Sequence, residues 1–347
     1  MRGARARRLP GRGVLVAVDQ TVETRPTLFA LRALGLGDLL TAVPALRALA
    51  GRYPRHRLVL AAPGELRELL PLAAAVDELL PTAGLRPPAW RGPPPSVAVN
   101  LHGRGPQSID ALAALRPGRI LSFTHPERPD LDGPEWWPDE HEVVRWCRLL
   151  RWYDIPADPD DLGLRTPRAA NPVPGAVVVH PGAAYLARRW PADRYGAVIR
   201  RLVARGERVV VTGTAAEREL AGRAAETGGL SDRHVLAGHT TLGQVAALVA
   251  GARLVVSSDT GVAHLATAYG RPSVTLFGPM SPQAWGPPPG RPEHTALWAG
   301  RTGDPRADRP DPGLLEITVT DVTDAALHAL TLAPGRARPY RTRRAAG

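Results

Sequence analysis

The chain has 347 residues, 44 basic against 33 acidic side chains, a formal charge of +11, one cysteine and no lysine. That length allows two domains with separate cores. Cys147, being alone, excludes an intrachain disulfide and leaves no cysteine pair at metal-ligand spacing. The charge points away from a nucleic-acid protein because of where it lies: residues 1–12 and 335–347 each hold five arginines and no acid, which leaves 34 basic against 33 acidic groups in the body.

In chain order, residues 1–26 read as a basic N-terminal extension whose apolar segment is about half the length of a signal core, and no run of 18 uncharged apolar residues follows. A cytoplasmic location is the expectation. Residues 27–34 read as a strand, Gly35-Leu36-Gly37 as a turn and 38–50 as a helix. HRLVLAA, VAVNLH and RILSF supply further short strands, with helical segments around 64–70 and 107–115. Cys147 falls in an aromatic, apolar helix and reads as a buried thiol. The Pro-rich stretch 156–175, ending in RTPRAANPVPG, reads as a linker, and Asp158, Asp160 and Asp161 within it read as solvated rather than as a metal site. A second α/β half follows: VVVHPGA at 177–183, a helix starting at Pro191, and RVVV running into Thr212, Gly213 and a helix that carries Glu217. ARLVV, SSDTGVAHLA and PSVTLFG at 252–278 then form a βαβ unit. Residues 287–313 lack periodicity and read as an irregular loop, DVTDAALHALTL as a final helix, and 334–347 as a basic tail. The expected architecture is α/β, with two facing Rossmann-like domains at 27–165 and 166–333 around a central cleft.

The βαβ unit carries the chemistry. A strand running into SSDTGVAHLA places unpaired backbone N–H groups and the positive end of a helix dipole beside Thr260 and Gly261, which suits a diphosphate. The alternative is a plain capped helix with Asp259 as its N-cap. Together with the strand ends at 180–183 and 211–213, three polar loops can surround one nucleotide at the rim of a parallel sheet.

At these residues the chain resembles glycosyltransferase family 9, the family of the ADP-heptose:lipopolysaccharide heptosyltransferases. The resemblance rests on LRALGLGDLLTAVPALRALAGRYP at 31–54, VAVNLHGRGPQS at 97–108, EHEVVRWCRLL at 140–150, HPGAAYLARRWPADRY at 180–195, TGTAAEREL at 212–220 and the long block at 236–279. It implies a GT-B fold and an inverting, metal-independent transfer of a sugar from a nucleotide-diphosphate donor, ADP-heptose in the first place. No cofactor is implied, and the acceptor is a hydroxyl of a glycan or glycolipid. Asp38 matches the position of the family's proposed catalytic base; the alternative is that it caps its own helix. Arg188, where the family usually carries a lysine, is the expected diphosphate ligand, with Arg189 as rival. Thr260, Gly261, Asp259 and His264 complete the expected donor site. Gly182 would let the donor approach the backbone, and Glu217 would accept from ribose or sugar hydroxyls unless it serves its helix start. His102 and Arg104 are the expected acceptor-side groups. The arginine tails could add peripheral contact with anionic lipid at the inner membrane face, and no specific nucleic acid is expected.

Three other readings compete. Gly35-Leu36-Gly37 resembles the opening of a dinucleotide fingerprint but lacks its third glycine, and Walker A, Gly-x-Ser-x-Gly and His-Glu-x-x-His patterns are absent. A sugar-nucleotide epimerase on the same scaffold would need no acceptor. A basic-tailed binding protein would not need Asp38.

Overall fold

The computed structural model describes residues 25–332; the arginine tails at 1–12 and 335–347 lie outside them. The first sheet joins β1 (Thr27–Leu31), β2 (Arg57–Ala62), β3 (Glu78–Pro81), β4 (Val97–Asn100) and β5 (Ile120–Leu121) in the order β3-β2-β1-β4-β5. With it come α1 (Leu36–Arg52), α2 (Leu70–Ala73), α3 (Gln107–Ala113) and α4 (Glu142–Trp152). The second sheet joins β6 (Val177–His180), β7 (Val209–Val211), β8 (Leu254–Ser258), β9 (Ser273–Phe277) and β10 (His294–Trp298) as β10-β9-β8-β6-β7. Its helices are α5 (Ala192–Ala204), α6 (Arg218–Thr227), α7 (Leu242–Ala250), α8 (Gly261–Ala268), α9 (Pro282–Trp285), α10 (Pro312–Glu316) and α11 (Val319–Leu332).

Every pairing between these strands is parallel. The residues dictate it: TLFAL, LVVSS and SVTLF are buried at every position, the pattern of parallel strands covered on both faces. In α5 the buried Tyr195, Val198, Ile199 and Leu202 recur at helical spacing and pack with Val177 and Val179 of β6.

Strand order fixes where a ligand can sit. In the first sheet the order reverses between β1 and β4, and in the second between β6 and β8. Crevices open at the carboxyl ends of such switch points. The loops there carry residues 32–38 and 101–104 on one side, and 181–190 and 259–261 on the other.

The two domains are also joined. Leu39, Leu40 and Leu46 of α1 share one apolar cluster with Leu248 of α7 and with Val262 and Leu265 of α8, and each such buried side chain contributes about 1.5–3 kcal/mol. Polar bonds set the register. Glu68 Oε2 accepts from Thr241 Oγ1 at 2.8 Å and from the Gly243 N–H at 3.1 Å, at the start of α7. The linker is pinned as well: Asn171 Nδ2 donates to Ala247 O at 3.0 Å.

Some expectations need correction. The stretch 287–313 is not wholly irregular, because His294–Trp298 pairs with β9 along its whole length. Asp161 is not simply solvated; Arg47 Nη1 donates to its Oδ1 at 2.5 Å. Cys147 is buried as expected, and burial pushes its thiol up to about 12, so it stays protonated and unreactive. Among the described residues no helix is long and apolar enough to cross a membrane.

Candidate active site

Neither aspartate is the N-cap that the alternative readings would make it. Helix α1 starts at Leu36 with Gly35 as its cap residue, so Asp38 lies inside the first turn, where a carboxylate favours the helix dipole without capping it. Helix α8 starts at Gly261 with Thr260 as cap residue and no side-chain cap bond, so Asp259 stands one residue outside. Both aspartates are thereby left to face the cleft.

The two helix starts touch. A methyl group on Gly37 would meet His264 Cδ2 at 2.9 Å, and one on Gly261 would meet Leu36 Cγ at 2.5 Å, so both glycines are required by the close approach of α1 and α8. Arg188 reaches into the same place: its Nη1 lies 3.7 Å from Asp259 Oδ2, and its charge also acts on Asp38 and His264. Arg189 does not compete. Its Nε donates to Ala183 O at 2.8 Å, which ties it to its own loop.

Electrostatics distinguishes the two carboxylates. Asp259, 7% exposed at the side chain, is pushed up to about 6, by burial first, against the lowering pull of Arg188 and with a further upward push from Asp38. Asp38, 26% exposed, is raised by burial and by Glu142, and held down by Arg32, the Gly35 N–H and Arg188. His264 is pushed down to about 4, by burial and then by His141 and Arg188. It is neutral at pH 7, so its 3.7 Å approach to Asp259 Oδ1 is a dipolar contact and not an ion pair. Arg188 Nε, Asp259 Oδ2 and Thr260 Oγ1 are buried and have no hydrogen-bond partner among the described residues. Buried polar atoms normally find partners, so three orphans at one strand end point to a polar ligand.

Gly182 and Glu217 stand apart from that cluster and form a unit of their own. Glu217 Oε2 accepts from Thr214 N at 2.8 Å and Thr214 Oγ1 at 2.9 Å, closing a capping box. A methyl on Gly182 would run into the Glu217 carboxylate. The space on the Cβ side of Gly182 is therefore filled by the Glu217 carboxylate. Opposite, His102 Nδ1 accepts from the Ala33 N–H at 3.1 Å, and burial followed by Arg32 pushes the ring down to about 4. The proton sits on Nε2, which makes His102 a neutral donor beside the β1 loop. Arg104 is exposed one turn of loop further out.

Four residues outside the expected set belong here. Arg32, Glu142, His141 and Trp285 line or brace the cleft. His141 Nδ1 accepts from Val143 N at 3.2 Å, capping α4, while its Nε2 meets Gly286 O of the other domain at 3.0 Å. Trp285 stands edge-on to His264, ring centres 6.2 Å apart. The signal in the sequence was Arg32 itself, a charge set directly after the apolar run TLFAL.

The model of glycosyltransferase family 9 (heptosyltransferase) matches residues 135–313. Lipopolysaccharide heptosyltransferase 1 of Pseudomonas aeruginosa is 39% identical over 150 residues, 41% of this chain and 41% of that protein. Lipopolysaccharide heptosyltransferase 2 of Escherichia coli K12 is 37% identical over 106 residues, 29% of this chain and 30% of its own. The matched stretch thus spans less than half of these curated relatives. Among solved structures, the glycosyl transferase family 9 protein of Veillonella parvula superposes with a TM-score of 0.70 at 17% identity, over 89% of this chain and 98% of that one. E. coli ADP-heptose lipopolysaccharide heptosyltransferase II gives 0.68 at 22% identity, over 88% and 99%. At these identities the likeness speaks for the shared two-domain fold.

Proposed function

Since the chain belongs to glycosyltransferase family 9, we propose that it transfers a sugar, heptose from ADP-heptose, to a hydroxyl of a glycan or glycolipid. The observation that carries this reading is the meeting of Asp38 on one domain with Arg188, Asp259 and the start of α8 on the other. A sugar transfer needs a base for the acceptor hydroxyl and positive charge on the departing diphosphate. Asp38 would take the hydroxyl proton. Arg188, whose guanidinium can bind phosphate oxygens in a bidentate fashion, and the backbone N–H groups at Thr260 and Gly261 would take up the negative charge of the leaving group.

With one base and direct attack, no covalent sugar–enzyme intermediate is needed, and the anomeric configuration inverts. The reading assigns no step to a metal ion. Asp259 and His264 would orient the donor, Glu217 would meet its sugar or ribose hydroxyls through the oxygen not engaged in the capping box, and His102 and Arg104 would face the acceptor. The two curated relatives named above carry lipopolysaccharide in their names, which supports an acceptor of that kind; a cytoplasmic place of action belongs to the same proposal.

The test is a thermal-shift screen of nucleotide sugars followed by product analysis. A donor present at 100 times its dissociation constant stabilises the native state by about 2.7 kcal/mol. ADP-heptose is expected to stand out, and to yield ADP and an inverted glycoside when de-acylated, heptose-deficient lipopolysaccharide is added. A shift equal to that of unrelated nucleotides, or sugar turnover without acceptor, would refute the reading; the latter is the behaviour of an epimerase.

A further inference from the structure

We propose that Arg32 and Glu142 are positioning residues for Asp38: one buried guanidinium, shared between the two carboxylates, holds the Asp38 side chain in place, and Glu142 governs how large a share Asp38 receives. The proposal rests on the reading of Asp38 as the base.

Arg32 follows the last residue of β1, and its side chain is fully enclosed. Its Nε donates to Asp38 O at 2.9 Å, and its Nη1 to Leu101 O at 2.5 Å, so the guanidinium is fixed by the backbone of two switch-point loops. The plane is held further by Trp146, whose ring centre lies 4.7 Å from Cζ. That leaves Nη2. It carries two hydrogens and faces three acceptors: Glu142 Oε1 at 2.8 Å, Thr41 Oγ1 at 3.2 Å and Asp38 Oδ1 at 3.3 Å. Two protons cannot serve three acceptors fully. The distances show who is served best, and Asp38 comes last.

Glu142 is itself locked in place. Trp146 Nε1, one helical turn along α4, donates to the same Oε1 at 2.9 Å, and Arg145 Nε lies 3.6 Å from Oε2. Glu142 therefore has no need of Arg32 for its own orientation, yet takes the shortest bond from it. The other charged groups facing Asp38 are Arg188 and Asp259 from the second domain, with His102 beside Arg32 and His264 beside Asp259. Burial and Glu142 make Asp38 hold its proton more tightly, and Arg32 opposes them. A base needs both a fixed direction and a suitable proton affinity, and the shared guanidinium supplies the first while its division sets the second.

Glu142→Gln keeps an acceptor oxygen for Trp146 and Arg32 but gives up the charge, so the share of Nη2 passes to Asp38. The primary readout is the side-chain carboxyl 13C titration of Asp38 in the substrate-free protein, its signal assigned by its loss in Asp38→Asn. The titration is expected to move to lower pH in Glu142→Gln and to higher pH in Arg32→Met/Glu142→Gln, a pair that removes both buried charges together. Transfer from ADP-heptose to de-acylated, heptose-deficient lipopolysaccharide should follow. The acid limb of its pH profile moves the same way, with a plateau lowered by no more than about tenfold in Glu142→Gln. An Asp38 titration in folded Glu142→Gln that superimposes on the parent's overturns the proposal. A residue that merely stabilised the fold would change melting temperature and scale the rate equally at all pH values, and that result also overturns it. Asp38→Asn run alongside keeps the two levels apart: loss of transfer with an unmoved Glu142→Gln titration removes only the positioning role, whereas parental transfer in Asp38→Asn removes the base.

Discussion

Asp259 is the residue at which stability and function are expected to part, and replacing it with asparagine tests the site without any substrate. Its carboxyl is buried, its nearest cation lies 3.7 Å away, and its proton affinity rises from 3.8 to about 6. An acid with a raised folded-state value binds more protons folded than unfolded between those two values, so ionising it costs stability as pH climbs through that window, and the cost is complete above it. Two units at about 1.4 kcal/mol each amount to roughly 3 kcal/mol. Asp259→Asn keeps the shape and removes the ionisation. The variant should match the parent near pH 4 and exceed it by up to about 3 kcal/mol at pH 7.5, the gap opening through pH 4–6 and flattening beyond. A domain of this size gains about 2–4 °C per kcal/mol, so melting curves at both pH values would show a difference of roughly 6–12 °C. A gap that is the same at pH 4.5 and 7.5, or a variant less stable than its parent at pH 7.5, would refute the placement at this strand end of a carboxylate whose burial outweighs its 3.7 Å pairing with Arg188. The stabilised variant should also be the poorer enzyme, since a costly buried charge persists where function requires it.

The other predictions follow from the same contacts. Asp38→Asn should bind ADP as the parent does and lose about 10²–10⁴ of the transfer rate; near-parental turnover by a folded variant would rule out Asp38 as the base. Arg188→Ala leaves diphosphate charge unpaired, a loss of about 1.5–3 kcal/mol, so calorimetry should show ADP affinity weakened by about tenfold to a hundredfold, and unchanged affinity would sink the assignment. Gly182→Ala should lower the melting temperature at every pH, because its methyl group displaces the Glu217 carboxylate and opens a capping box worth about 1 kcal/mol; an unaffected melting curve would show that Glu217 has room to move.

How much of this was legible in the sequence depends on how local the cause is. The central strands announce themselves as apolar runs, and the polar turns that end β6, β7 and β8 mark the rim of the second sheet. β10 was hidden because HTALW is only five residues long between Pro- and Gly-rich stretches, and it becomes a strand through its partner β9. The start of α1 at Leu36 is not legible because Gly35 has no side chain with which to signal a cap. Arg32 and Glu142 meet across 110 positions, a distance at which spacing carries no information. Gly182 shows a related limit: an unoccupied side-chain position looks the same in sequence whether a ligand or the residue at 217 fills the space.

The charge arrangement also bears on how the proposed diphosphate donor would enter. Each domain brings the positive end of a helix to the cleft, and these ends touch through Gly37 and Gly261. Two such ends repel one another unless negative charge lies between or beside them. Asp38 and Asp259 supply that charge, one from each domain, and Arg32 and Arg188 balance it in turn. The two arginines are held very differently. Arg32 is enclosed and bonded on every nitrogen, whereas Arg188 is 27% exposed, meets Asp259 at 3.7 Å and has a buried Nε without a hydrogen-bond partner among the described residues. On the proposed function, a dianion at the start of α8 would compete with a loose carboxylate contact for Arg188 and would leave the Arg32 network intact. Donor affinity is accordingly expected to depend on Arg188 and Asp259, and proton transfer on Arg32, Asp38 and Glu142, a division that comparing binding with turnover across the two sets of variants would expose directly.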